Sequence, residues 1–491
     1  MTAKLALALA ALAHLAARIW LVAQGRWFAS EDDPYRAYVA YLLSRDGSRF
    51  VGEMWLPGHP GLLAVAQALG ISARAAGPVV SAIATVGLAV ATGGLARELS
   101  RRPLGGGARP DDDSSPWLAA ALVLASPLTL VLGHSHLAEV PAAALSVAAV
   151  WGLFRWLRTG RAAALAAGSA ALAAAAWMRY EAWGAVVLFP AVALWLGRRR
   201  RGAWLAFAPA AAPLAWMALQ WTAYGDPLLF WHRAAALAQS ASPVDVLGAR
   251  ARALVAWAPA VAVLAAYGAW RLRGAGRTLR AHAIVVALLS AGVWPAVVLG
   301  QRHLVFPDRL SHPIEVALIP LAAVGLAGVL ARSRVAFAAA AAATIAAVAL
   351  GPARPAAMWD PDSVQVGRRL AAGELEPLLA GGALLVERPR RRPPFGWASV
   401  GVLWGRWDRI VWATPEPRGW ELVEPTDVVR GRRTVATGDL AAALRERGVR
   451  AAWTVTPAAR RALAAAWPGA RALPIGRGAL VVRPSGAPAP P

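Results

Sequence analysis

The chain contains no cysteine, a single lysine (Lys4), and only 27 acidic residues against 51 basic ones. Without cysteine there is no disulfide, no thiolate nucleophile and no Cys-bound metal. With lysine reduced to Lys4, the basic charge is arginine charge. The acids are scarce enough to be read one at a time. What the sequence has in excess is apolar residues, 58% of 491. That is too apolar for a soluble chain of this length and predicts many membrane spans. The net charge of +24 would suit nucleic acid. The arginines, however, fall in short clusters between apolar segments, as the loop charges that orient membrane proteins do. Nucleic acid is therefore excluded as a partner, and membrane lipid takes its place.

Apolar windows of roughly 17–25 residues recur near 3–24, 76–97, 117–134, 138–157, 162–179, 182–197, 203–222, 252–270, 281–300, 313–331 and 334–351. They predict about eleven transmembrane helices. The first, around Lys4, continues to Ala23 and reads as a retained span rather than a cleaved leader. The segment 59–73 is shorter, opens with His59-Pro60-Gly61, and reads as an interfacial or re-entrant helix.

With the N-terminus inside, the inside loops hold Arg101 and Arg102, Arg155, Arg158 and Arg161, Arg198 to Arg201, Arg271 to Arg280, and Arg332 and Arg334. The outside loops hold Glu31, Asp32, Asp33, Glu139, Glu181, Asp226, Asp308 and Glu315. The positive-inside rule is met at each turn. A few arginines break it. Arg36, Arg179, Arg302 and Arg309 sit outside beside the acids, and positive charge placed against the rule is a candidate anion site. The inside run Asp111 to Asp113 lies in a Gly/Pro/Ser-rich loop and reads as solvated linker.

From about Gly351 the spans stop. Short apolar runs at Ala383 to Val386, Arg409 to Ala413 and Ala479 to Val482 read as strands, and Asp439 to Arg447 and Pro457 to Ala466 as helices. The expected organisation is a membrane domain over 1–351, a small external α/β domain over 352–484 and a disordered tail over 485–491.

The stretch from Ser30 to Pro60 stands out. It packs Glu31, Asp32 and Asp33 together, then Tyr35, Tyr38 and Tyr41, then Trp55-Leu56-Pro57. An acidic cluster at a membrane edge is expensive unless it does something there. A carboxylate can take the proton of a poor nucleophile such as a hydroxyl. The same residues also suit a helix start, with Asp ahead of Pro34, so one of the three is expected to be a cap. His134 and His136 ahead of Glu139 have a spacing open to metal ligation but lack a further placed ligand. Gly225-Asp226-Pro227 is a tight-turn sequence.

EDDPYRAYVAYLL followed by WLPGHPGLLAVAQALG resembles the first external loop of the GT-C glycosyltransferases. These are polyprenyl-phosphate-sugar-dependent enzymes that include the protein O-mannosyltransferases and the aminoarabinose transferases. HSHLAEVP at 134–141, MRYEAW at 178–183, YGDPLLF at 224–230 and the Arg302–His312 loop fit in order, so the resemblance covers about 330 residues.

The resemblance implies a GT-C-like α-helical polytopic membrane protein with a multi-pass place in the cytoplasmic (inner) membrane. It implies a lipid-linked sugar donor on polyprenyl phosphate and a glycan, lipid or protein acceptor. The family's acidic pair falls on Glu31-Asp32 or on Asp32-Asp33, according to whether Tyr35 or Pro34 sets the register. The leaving phosphate would be met by Arg302, His303 and Arg309, then Arg179, Arg36 and His59. Arg179 and Glu181 can also simply pair with each other. Glu139, Glu181, Asp226, Tyr35 and Trp55 would shape the site. No metal is expected with certainty; Asp33 with Glu139 is the arrangement in which some relatives hold a divalent ion. Trp407-Asp408 is similar to part of the Trp-Trp-Asp motif of oligosaccharyltransferases. It lacks the second Trp and the following Gly, so transfer of an oligosaccharide to asparagine is set aside. The alternative of another class is a secondary transporter or flippase of a lipid-linked or anionic substrate. Acids concentrated at one face and the lack of repeats weigh against it.

Overall fold

The computed structural model describes residues 2–30, 32–46, 55–101, 114–197, 200–237, 239–299, 301–302, 307–350, 362–387, 396–416, 419–423, 434–436 and 439–484. Glu31, His303 and Asp111 to Asp113 lie outside the described residues, as do the side chain of Arg302 and the tail 485–491. The chain forms two compact units. One is Met1–Ala29, Val51–His59 and Pro78–Met358; the other is Ser30–Phe50, Pro60–Gly77 and Trp359–Pro491.

In chain order the helices begin with α1 (Ala3–Ala23), α2 (Asp32–Asp46), α3 (Gly58–Ala68) and α4 (Ala73–Ser100). Next come α5 (Ser115–Leu124), α6 (Pro127–Gly133), α7 (Glu139–Thr159), α8 (Ala162–Ala176) and α9 (Glu181–Gly197). A 3-10 turn at Ala203–Ala210 leads into α10 (Ala211–Tyr224), then α11 (Leu229–Leu237), α12 (Pro243–Trp257), α13 (Pro259–Leu272), α14 (Gly276–Ser290) and α15 (Trp294–Val298). Two short strands, β1 (Gln239–Ser240) and β2 (Gln301–Arg302), pair antiparallel. The first unit closes with α16 (His312–Arg332) and α17 (Arg334–Leu350).

The predicted apolar windows fall largely on helix. Among the described residues, however, only five helices are long and apolar enough to cross a membrane as single runs, or up to seven if each bent pair is one span. The expected count of about eleven is not confirmed, because several of the windows are broken or short. Pro127 opens α6 behind Ser126, whose hydroxyl accepts the Thr129 N–H at 2.9 Å, and the chain bends 59° there. Pro259 opens α13 after a 101° bend. α8 and α9, at 15 and 17 residues, are short for a bilayer on their own. α3, at 11 residues, is too short to span, as expected for an interfacial segment.

Helix ends in this unit meet in the pattern that alternating loops require. Lys4 at the start of α1 lies 5.6 Å over the Trp117 ring near the start of α5. Arg158 at the end of α7 bonds Glu98 at the end of α4, one contact measuring 3.0 Å. Arg332 at the end of α16 donates to the Tyr267 hydroxyl of α13 at 2.6 Å. All three pairs join ends that the positive-inside reading assigns to one side.

In the second unit, α18 (Asp362–Ala371), α19 (Glu376–Leu379) and α20 (Gly396–Trp404) accompany β3 (Ala383–Glu387), β4 (Ile410–Glu416), β5 (Gly419–Val423), β6 (Thr434–Ala436), β7 (Val449–Thr454), β8 (Arg471–Ile475) and β9 (Gly478–Val482). Two further helices are Leu440–Glu446 and Pro457–Ala466. The sheet order is β6-β5-β4-β3-β7-β9-β8. β3 runs parallel to both β4 and β7, and the outer pairings are antiparallel. The three apolar runs read as strands and the two segments read as helices are found as such. β3 is central and buried from Leu384 to Val386, which is why its sequence is a continuous apolar run rather than an alternating one.

Glu387 ends β3 with a buried carboxylate that accepts the N–H groups of Val455 at 2.7 Å and Thr456 at 2.9 Å, and the Thr456 hydroxyl. Replacing Glu387 by alanine orphans those donors and is expected to cost about 2 kcal/mol. Faster hydrogen exchange at Val455 and Thr456 would register the loss; unchanged exchange would refute it.

Candidate functional site

Two groups of the residues singled out in the sequence are assembled, one in each unit. In the second unit, the acids open α2. Asp33 is fully buried, and its Oδ2 accepts the Ser30 N–H at 2.8 Å, while the Ser30 hydroxyl accepts the Asp32 N–H at 3.3 Å. This is close to a capping box: the serine hydroxyl takes the N–H two residues on, and the acid three residues on takes the serine's own N–H. Asp33 is therefore the acid that does the capping work expected of one of the three. Asp32 and Arg36 are also buried on α2, and the Tyr35 ring lies 5.9 Å from that of Tyr38.

In the first unit, the sequences around Glu139, Arg179 and Arg309 converge. Arg179 donates from Nη1 to Glu139 Oε1 at 2.6 Å and from Nε to Glu181 Oε2 at 2.9 Å, with a second bond from Nη2 to Glu181 Oε1. Arg309 Nε stands 3.4 Å from Glu139 Oε1. The side chains are largely out of solvent, Glu139 at 3% exposure and Arg179 at 11%. Buried charges persist only when paired in this way. The pairing of Arg179 with Glu181 that the sequence allowed is thus present, extended by Glu139.

Beside these charges is a small cleft, about 40 Å³ in volume. Glu139, Arg179, Glu181, Arg309 and His312 line it at the first turns of their helices and the adjoining loops. One or two turns further along, Ala142, Val147, Ala185 and Val316 line it, together with Leu288 and Leu289 of α14. A charged rim over an apolar trough suits an amphipathic ligand with an ionic head.

The segment Trp55–His59 joins this group. The Gly58 N–H donates to the Trp177 carbonyl at 3.0 Å, two residues before Arg179, and His59 is fully buried. Leu56 packs in a cluster with Trp177, Tyr180, Trp183, Trp216 and Phe230, in which Tyr180 and Phe230 stack at 4.7 Å. Three sequence motifs, WLPGHP, MRYEAW and YGDPLLF, thus meet in one place. Asp226 is a turn-former: its carboxylate accepts the Leu228 N–H at 2.9 Å and bonds His232 Nδ1 at 2.8 Å, and these two contacts hold it below the usual carboxylate range.

The site also contains what the sequence reading passed over. His312 is fully buried at the head of α16, with Nε2 3.1 Å from the Thr129 hydroxyl. Trp257 donates to Asp308 Oδ2 at 3.0 Å beside Arg309. The sequence reading named the Arg302–His312 loop as a whole, but the Ser311-His312-Pro313 step within it reads locally as an ordinary helix start.

Asp33 and Glu139, named together for a divalent ion, are each engaged within their own unit. Glu139 is met by two guanidinium groups and Asp33 caps α2. Among the described residues no group of three His, Asp or Glu is placed to hold a metal.

The chain thus combines a unit rich in apolar helices with a small α/β unit that also takes in α2. No protein-family model and no curated protein matches the chain. Among solved structures, the crystal structure of ArnT from Cupriavidus metallidurans in the apo state is similar over 93% of this chain and 94% of its own, with a TM-score of 0.60 at 14% identity. The fold is therefore similar to that of ArnT, and the chain is a multi-pass membrane protein.

Proposed function

We propose that this protein is a membrane glycosyltransferase. It moves a single sugar from a polyprenyl-phosphate carrier to an acceptor hydroxyl on the outer face of the cytoplasmic membrane, with inversion at the anomeric carbon. The observation that carries this reading is the cleft in the ArnT-like fold, ionic at its rim and apolar along its length. A lipid phosphate has that same division of character.

In the proposed reaction, Asp32 takes the proton of the acceptor hydroxyl as its oxygen attacks the anomeric carbon. The bond from that carbon to the phosphate oxygen breaks, and polyprenyl phosphate leaves with the electron pair. Guanidinium groups meet the charge that develops on it; Arg179 and Arg309 are first choices, with Arg302, His303, Arg36 and His59 as further candidates. Asp32 is preferred to Asp33 because Asp33 closes the capping box and because both registers of the acidic pair include Asp32. No step is assigned to a metal. The N-terminus is placed in the cytoplasm and the α/β unit outside, where a glycan, lipid or protein acceptor is reached.

Full-length protein in lipid nanodiscs, given radiolabelled short-chain polyprenyl-phosphate hexoses and pentoses, should transfer one of them. Asp32→Asn should lower that transfer by at least about 100-fold while leaving donor binding in place. Asp33→Asn should mainly cost stability, about 1 kcal/mol of capping. Wild-type turnover in Asp32→Asn would sink the assignment of the base. Passage of the donor across the membrane without transfer would favour a flippase.

A further inference from the structure

Asp32 and Asp33 open a helix that cannot hold itself in place. A 15-residue helix is marginal on its own, so α2 stays where its packing puts it. That packing comes from the other end of the chain. α2 lies against α20, and its two tyrosines three residues apart share a face. Tyr38, fully buried, has its ring 5.3 Å from that of Trp407 and meets Trp412 edge-on at 6.1 Å. Tyr41 stacks on Trp407 at 5.4 Å with 27° between the planes.

Trp407 is itself fixed. It is buried in the 3-10 turn Trp407–Arg409, and its ring fills the space over Gly401 of α20, where a Cβ would stand 2.2 Å from a ring carbon. The same turn is tied to the centre of the sheet. Arg409 donates to the Gly382 carbonyl from Nε at 2.9 Å and Nη2 at 2.7 Å, ahead of β3, and also bonds Glu376. Its guanidinium lies 4.8 Å over Trp404, and β4 begins at the next residue.

We propose that the C-terminal α/β unit sets the position of the acidic end of α2, with Trp407 as the positioning residue that clamps Tyr38 and Tyr41. The catalytic consequence rests on the transferase reading; the clamp does not. From Tyr41 to Asp32 is about 14 Å along the helix, so a tilt of about 5° at the clamp displaces the acids by about 1 Å. Misplacement of that size costs a reacting group on the order of 100-fold in rate. Trp407 touches no reacting atom in this scheme; it acts through α2.

The test uses the full chain in nanodiscs and reads hydrogen exchange by mass spectrometry. Trp407→Ala and, from the other side of the contact, Tyr41→Ala should each speed exchange across α2 at least about tenfold, with α7, β3 and β4 unchanged. Trp407→Phe should hold α2 within about threefold of wild type. Tyr41→Ala leaves the sheet and its turn intact, so it keeps the test valid if Trp407→Ala unfolds. In the donor assay, Tyr41→Ala should lower kcat by about 30-fold with the donor KM within about twofold, and Trp407→Phe should recover most of the rate. Unchanged exchange across α2 in Tyr41→Ala, or a raised KM at wild-type kcat, would overturn the proposal. A wild-type chain that transfers none of the donors removes the transferase reading and leaves the exchange result to decide the clamp.

Discussion

Arg179→Met should destabilise the protein by about 3 kcal/mol, because it strips the shared partner from the buried Glu139 and the half-buried Glu181. Arg179 holds Glu181 through two bonds and Glu139 through one. Arg309, at 3.4 Å from Glu139, partly compensates that acid. Methionine keeps much of the side-chain volume, so the loss is one of charge rather than of packing. The double variant Arg179→Met with Glu181→Gln should then recover more than half of the loss, since the penalty lies in the unpaired charge and not in the missing contact. The measurement is the temperature at which half the protein leaves the monodisperse peak after heating, for wild type and both variants. A double variant no better than the single one would show that the cluster is not held by charge pairing. The pairing also bears on function. In the proposed reaction, a phosphate entering the cleft would compete with Glu139 and Glu181 for Arg179.

Gly325→Val is expected to be as severe, at more than about 3 kcal/mol, through overpacking rather than charge. α13 and α16 cross backbone to backbone. A Cβ at Gly325 would lie 2.1 Å from the Leu264 carbonyl oxygen, and one at Gly268 would lie 2.2 Å from the Leu321 carbonyl oxygen. Neither obstacle is a side chain that can turn away, so the helices must separate. Close approach at small residues is what holds helices together in lipid, where burial of apolar surface gives no advantage over the solvent. α16 also carries His312 and Val316 into the cleft, so its displacement should impair donor binding along with stability. Heating the variant in detergent and in nanodiscs gives the comparison; a midpoint equal to wild type in both would refute the backbone contact.

Much of this architecture could be read from local sequence, because membrane helices advertise themselves by length and apolarity. The breaks were harder. Pro127 and Pro259 are visible as residues, but whether a proline starts a new helix at 59° or merely sits in a straight one depends on neighbours. The capping box was half legible: serine, then acid three residues on, is a sequence pattern, yet only packing decides which of three adjacent acids closes it. The Arg179–Glu181 pair lay two residues apart and could be anticipated, whereas Glu139 reaches it from another helix. His312 with Thr129, and Tyr41 with Trp407, leave no periodic trace at all. Each joins segments far apart in the chain, and nothing in either segment specifies its partner.

That last contact orders events during synthesis. α2 is made near the start and Trp407 near the end, with most of the membrane unit, Val51–His59 and Pro78–Met358, translated in between. At about 5–20 residues per second, the acidic helix would wait tens of seconds before its seat exists. A growing chain therefore has the proposed base in hand but not in position. Under the proposed clamp, assembly of the sheet is what would bring the acidic end of α2 into position.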